Sequence, residues 1–133
     1  MLPKNIKALI VDDEPIIRNL MKIFLGRQAK ILESKDGAGA LEMILAEKPD
    51  VVFLDISLPG ALSGINVLRV LRQDPELKHT HIVIVSALSP QELAKADVLK
   101  ADAYITKPFC KQDLLDWYAV YELASRASVL ALG

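Results

Sequence analysis

Several short runs of apolar residues, each cut off by a polar residue, constrain this chain more than any other feature. Ala8-Leu9-Ile10-Val11 stops at Asp12, Val51-Val52-Phe53-Leu54 stops at Asp55, and Ile82-Val83-Ile84-Val85 stops at Ser86. A strand with one wet face would alternate apolar and polar residues. Strands apolar throughout are covered on both faces, as in a parallel sheet. Lys30-Ile31-Leu32-Glu33 is a weaker run that suits an edge strand, and Ala103-Tyr104-Ile105, ending at Thr106-Lys107-Pro108, is a fifth.

Between the runs lie segments with helical spacing. Ile17, Leu20, Met21, Phe24 and Leu25 share such a segment up to Gly26. Asp36-Gly37 opens a second helix, with Leu41, Ile44 and Leu45 on one side and Pro49 at its end. Pro59-Gly60 marks a loop, and a third helix carries Val67, Leu68 and Leu71 as far as Asp74-Pro75. Ser89-Pro90-Gln91-Glu92 is a capping box with proline at the first helical position. A last helix begins near Lys111 and carries Leu114, Leu115, Tyr118, Tyr121 and Leu123. Five β–α units in succession predict an α/β fold: an open, doubly wound five-stranded parallel sheet with five helices. In the flavodoxin-like order 2-1-3-4-5 the three most apolar strands, the first, third and fourth, are central.

The 133 residues suit one domain, and 52% apolar against 25% charged residues exclude a disordered chain. Lys+Arg total 16 and Asp+Glu 17, so there is no basic footprint for nucleic acid or anionic lipid. The lone Cys110 excludes an internal disulfide and a thiolate metal cluster. Met1-Leu2-Pro3-Lys4-Asn5 does not read as a secretory signal, and no apolar run approaches the ~20 residues of a membrane helix. A cytoplasmic protein is expected.

Ligands of such sheets sit beyond the carboxyl ends of the strands, at the switch point between the first and third. The residues there are Asp12-Asp13-Glu14, Asp55, Ser86-Ala87 and Lys107-Pro108. Clustered carboxylates repel by roughly 4 kcal/mol per pair about 4 Å apart at an effective dielectric near 20. A small hard dication together with Lys107 would relieve that repulsion, and Mg²⁺ commonly joins one or two carboxylates to a phosphate. The edge therefore looks built for a divalent cation and a phosphoryl group. Each residue also has a plainer reading: Asp13 as a helix cap, Asp55 as a turn residue, Ser86 as a small strand end, Lys107 as a solvated lysine. Their joint occurrence on one edge favours the functional account.

The ordered set Asp12-Asp13-Glu14-Pro15 with Arg18, Asp36-Gly37, Asp55 with Leu58-Pro59, Gly64-Ile65, Ser86-Ala87 and Tyr104-Ile105-Thr106-Lys107-Pro108-Phe109 resembles the receiver domain of two-component response regulators, from Lys7 to about Leu123. The resemblance implies that Asp55 takes a phosphoryl group from a phosphohistidine on a sensor histidine kinase or phosphotransfer protein. It implies Mg²⁺ held by the side chains of Asp13 and Asp55 and the backbone carbonyl of Ser57, with Asp12 acting mostly through water. Lys107 would pair with a phosphoryl oxygen, and Ser86 would hydrogen-bond the group and shift towards it. Tyr104 would move to a more buried rotamer, switching a face made of the fourth helix, fifth strand and fifth helix. The Lys107-Pro108 bond would be cis. The implied protein is a signalling module, not an enzyme beyond its own phosphorylation and dephosphorylation. Its partners are the phosphodonor and a downstream protein or output domain, with no direct contact to nucleic acid or membrane. A phosphorylation-dependent homodimer is compatible with this reading. Residues 1–127 would form the receiver and 128–133 an apolar tail.

Some features depart from the resemblance. The loop Pro59-Gly60-Ala61-Leu62-Ser63-Gly64 is about one residue long for the family, Lys100 stands where glycine is frequent, and Ala103 replaces an acidic residue of one large DNA-binding subfamily. Trp117 and Tyr118 point about 100° apart on a helix. One reading packs Tyr118 and Tyr121 inward with Trp117 partly at the surface; the other makes an aromatic interaction patch. His79, His81 and Cys110 have no metal-ligand companions and read as structural. The main rival is a phosphorylation-independent interaction module on the same fold. An enzyme or flavin carrier is disfavoured, because neither a Gly-rich cradle nor an Asp-x-Asp pair follows the first strand.

Overall fold

A computed structural model describes residues 6–26, 29–87 and 89–132, with 128–132 as backbone alone. The residues Met1–Asn5 read above for a signal, and the side chains of Ser128–Gly133, lie outside that description. The strands are β1 (Ile6–Val11), β2 (Ala29–Ser34), β3 (Val51–Leu54), β4 (His81–Ser86) and β5 (Ala103–Thr106). The helices are α1 (Pro15–Leu25), α2 (Gly37–Glu47), α3 (Gly64–Gln73), α4 (Pro90–Val98) and α5 (Lys111–Leu132). All strand pairings are parallel, in the order β2-β1-β3-β4-β5. The three all-apolar runs are the central strands and the weak run is the β2 edge, as their composition requires.

Because side chains alternate along a strand, each central strand feeds two cores. Leu9, Val11, Val52, Leu54, Ile82 and Ile84 pack with α2, α3 and Ala96 of α4. Ala8, Ile10, Phe53, Val83 and Val85 pack against α1 and α5 on the opposite face. Phe53, Leu9, Ile10, Leu54, Ile82 and Ile84 are fully buried. Each such side chain contributes roughly 1.5–3 kcal/mol relative to exposure.

The helix starts follow local chemistry. Asp36 Oδ1 accepts from the Gly39 amide, Ser63 Oγ from Asn66, and Ser89 forms the reciprocal capping box with Glu92. α1 begins with Pro15 after an N-cap Glu14 whose side chain makes no capping bond. Asp13 therefore does not cap this helix.

Several expectations need correction. Leu45 is 53% exposed, because α2 turns Ala40 and Ile44 inward instead. Trp117 is 7% exposed and stacks edge-on against Phe53, whereas Tyr118 and Tyr121 are only partly buried beside it. The indole is the larger apolar body and fills the gap over the sheet. Leu123 is 65% exposed, since it lies two residues, about 200° of helix, from Tyr121, which packs towards the core. Beyond these corrections, the backbone of 128–132 continues α5, which runs 22 residues to Leu132. Lys100 adopts φ +62, the left-handed conformation that glycine would take without strain.

Candidate functional site

Strand register brings the polar ends together. Val11 pairs with Leu54, so Asp12 and Asp55 leave adjacent strands side by side, and the Asp55 amide donates to the Val11 carbonyl at 3.0 Å. Ser86 closes β4 opposite Thr106, and the Lys107 amide donates to the Ser86 carbonyl at 3.1 Å. Four strands thus deliver Asp12, Asp55, Ser86 and Lys107 to one edge.

Among the described residues, Asp12, Asp55 and Ser86 are the buried polar ones, at 2%, 5% and 3% exposure. Lys107 Nζ donates to Asp12 Oδ2 at 2.6 Å and to Asp55 Oδ2 at 3.1 Å. Ser86 Oγ donates to Asp55 Oδ1 at 2.8 Å, and that oxygen also accepts from the Ser57 amide at 3.1 Å. The turn reading of Asp55 is therefore correct as far as Ser57, but it is one contact among several. Burial pulls the Lys107 ammonium towards neutrality, yet its hydrogen bonds and charge attraction to Asp12 and Asp55 outweigh this and raise its pKa. The plainer reading of Lys107 as a solvated lysine does not hold.

Carboxylate oxygens of Asp12, Asp13 and Asp55 lie within 4.8 Å of one another, and Asp13 is the exposed member. Three hard oxygen donors with a wet side suit a small dication that keeps part of its water. Mg²⁺ fits this donor set.

Close approach of α3 to the site is permitted by Gly64. A Cβ there would collide with the Asp55 carbonyl oxygen and meet Ile56 Cα at 2.7 Å. The Gly64 amide donates to the Ile56 carbonyl at 2.9 Å, returning the Pro59–Gly64 loop to the sheet directly behind Asp55. On the other side, Tyr104 is half-buried and its hydroxyl donates to Asp97 Oδ1 of α4 at 3.1 Å. Burial, then Asp97, push its phenol up to about 12. No sequence pattern points to the Asp97 contact. Arg18 carried a signal as the basic residue closest after Asp12, and it bonds the Asp12 backbone carbonyl at 2.6 Å. The Lys107-Pro108 peptide is cis. Cys110 is exposed and its amide donates to Asp113.

A family model for the response regulator receiver domain matches residues 8–119. The chain belongs to that family. Among receiver relatives, chemotaxis protein CheY-3 of Vibrio cholerae is 36% identical over 112 residues, which cover 82% of this chain and 85% of that one. The REC domain of AraT, a response regulator from Geobacillus stearothermophilus, superposes with TM-score 0.83 at 27% identity, covering 94% and 98% of the two chains. The chemotaxis response regulator CheY4 of Vibrio cholerae shares the fold at TM-score 0.80 and 24% identity, covering 87% and 98%. The receiver fold accounts for the whole sheet and for where its polar edge lies. No described helix is long and apolar enough to cross a membrane.

Proposed function

We propose that this receiver accepts a phosphoryl group on Asp55 from a phosphohistidine of a sensor histidine kinase or phosphotransfer protein. The observation that carries the reading is a buried carboxylate whose two oxygens are held by Lys107 and Ser86. An Asp55 oxygen attacks phosphorus, a P–O bond forms, and the P–N bond breaks with its electron pair returning to the imidazole. A carboxylate can act as this nucleophile without a general base. Lys107 neutralises the charge gathering on the phosphoryl oxygens, and the Ser86 hydroxyl is within reach of one of them.

The side chains of Asp13 and Asp55 and the Ser57 carbonyl would hold Mg²⁺, with Asp12 contributing through water. Bound there, the cation would offset carboxylate and phosphoryl charge. Once Ser86 and Lys107 turn to the new group, Tyr104 exchanges its Asp97 contact for a more buried rotamer. The α4-β5-α5 face then differs for a downstream protein or a second copy.

With Mg²⁺ and acetyl phosphate, intact-mass spectrometry should show one added phosphoryl group on the wild type and none on Asp55→Asn. No adduct on the wild type, or an equal one on Asp55→Asn, returns the protein to the phosphorylation-independent reading.

A further inference from the structure

Beside the carboxylates lies a cation that the proposed transfer leaves unused. Arg18, on the second turn of α1, has a side chain 18% exposed. Its Nη1 donates to the backbone carbonyl of Asp12 at 2.6 Å, and its Nε donates to Glu33 Oε1 at 3.1 Å. Glu33 is anchored in turn by Lys22 Nζ at 3.0 Å on its other oxygen. Lys22, burial and Arg18 act together on this carboxyl, and the net effect holds its pKa below the usual range. It stays charged and holds the guanidinium in place.

The site of that bond matters. The Asp12 amide donates to Ser34 of β2, and Asp12 Oδ1 accepts from the Glu14 amide at 2.9 Å. The Asp12 carbonyl belongs to the 12–13 peptide, the remaining unit that can rotate between β1 and α1. Turning it would swing Asp13, the exposed carboxylate of the acidic triad. Asp13 makes no capping bond that would hold it otherwise.

We infer that Arg18 is a positioning residue for the divalent-cation site: by gripping the Asp12 carbonyl it fixes the peptide that aims Asp13. This deepens the proposed function and rests on it. A guanidinium suits the task because its planar fork serves two acceptors at once, which an ammonium on a flexible stem does not.

Charge alone predicts the opposite sign. Removing a cation next to a cation site should tighten Mg²⁺ by Coulomb's law, whereas losing the grip should weaken it. The test is calorimetric titration of MgCl₂ into wild type, Arg18→Ala and Arg18→Lys. Both variants should bind roughly tenfold more weakly. In an Asp13→Asn background the Arg18→Lys change should shift affinity less than about twofold, since its effect passes through Asp13. Tighter or unchanged binding by Arg18→Ala, or wild-type binding by Arg18→Lys, overturns the inference. Should Arg18→Ala not fold, the lysine variant, which keeps charge and stem, decides alone. A wild type that binds Mg²⁺ with unaltered variants sinks only the Arg18 role. A wild type that neither binds Mg²⁺ nor gains a phosphoryl group sinks the proposed function with it.

Discussion

Lys107 and Gly64 show how differently two single residues serve one carboxylate. Lys107 works by charge, bridging Asp12 and Asp55. Gly64 works by absence, since a methyl group there would collide with the Asp55 backbone and not with a side chain that could move aside. Gly64→Ala should therefore cost about 3 kcal/mol, read as a lower urea midpoint with an unchanged slope. The two were not equally legible. A lysine at the end of a strand, opposite two aspartates at strand ends, declares itself once a parallel sheet is assumed. The glycine stood in the sequence as part of a motif, but the reason for it is a steric fact between loops that no local pattern encodes. The same holds for Arg18, whose partner is a carbonyl oxygen, and for Asp97, which meets Tyr104 only because α4 packs over β5.

At the scale of elements, apolar runs and capping residues located strands and helix starts because they are local. The inward face of α5 was not legible in the same way. Tyr118, Tyr121 and Trp117 are all amphipathic, and what turns the indole inward is a partner from another strand. Trp117 Nε1 donates to His81 Nε2 at 3.2 Å, which needs His81 neutral. Burial depresses the imidazole pKa below 6.5, Asp102 partly offsets this, and Arg72 adds to it. The unfolded chain then takes up the proton first as pH falls. The stabilisation is present above about 6.5 and is lost as pH falls through the lower folded value. Thermal midpoints measured at pH 7.5 and 5.5 should fall more for the wild type than for His81→Gln, which accepts the indole hydrogen bond through its amide oxygen without titrating. Equal falls in the two proteins would remove His81 from the account.

Across the whole molecule, the near-neutral sum of 16 basic and 17 acidic residues conceals a local excess at one edge of the sheet. A ligand that relieves this excess in the folded state alone must stabilise the fold by mass action. Mg²⁺ at ten times its dissociation constant should add about 1.4 kcal/mol to unfolding, seen as a rise in denaturant midpoint that EDTA reverses and Asp13→Asn largely removes. Ca²⁺, which tolerates looser geometry, provides a comparison for how well the site fits the smaller ion. Strand order was legible because the most apolar runs had to be central. The overhang of α5 was not, since helix continuation past a domain's core depends on propensity without burial.

The Pro59–Gly64 loop has a free crown and a fixed foot. Nothing lies within 4 Å of where a Cβ on Gly60 would be, although its φ of +88 favours glycine, while Gly64 is pressed against the strand end. The crown, Pro59 to Leu62, lines a hollow with Asp36 and Ala38 at the start of α2. Side chains at Gly60 can therefore vary at the surface while the foot keeps the backbone behind Asp55 in place.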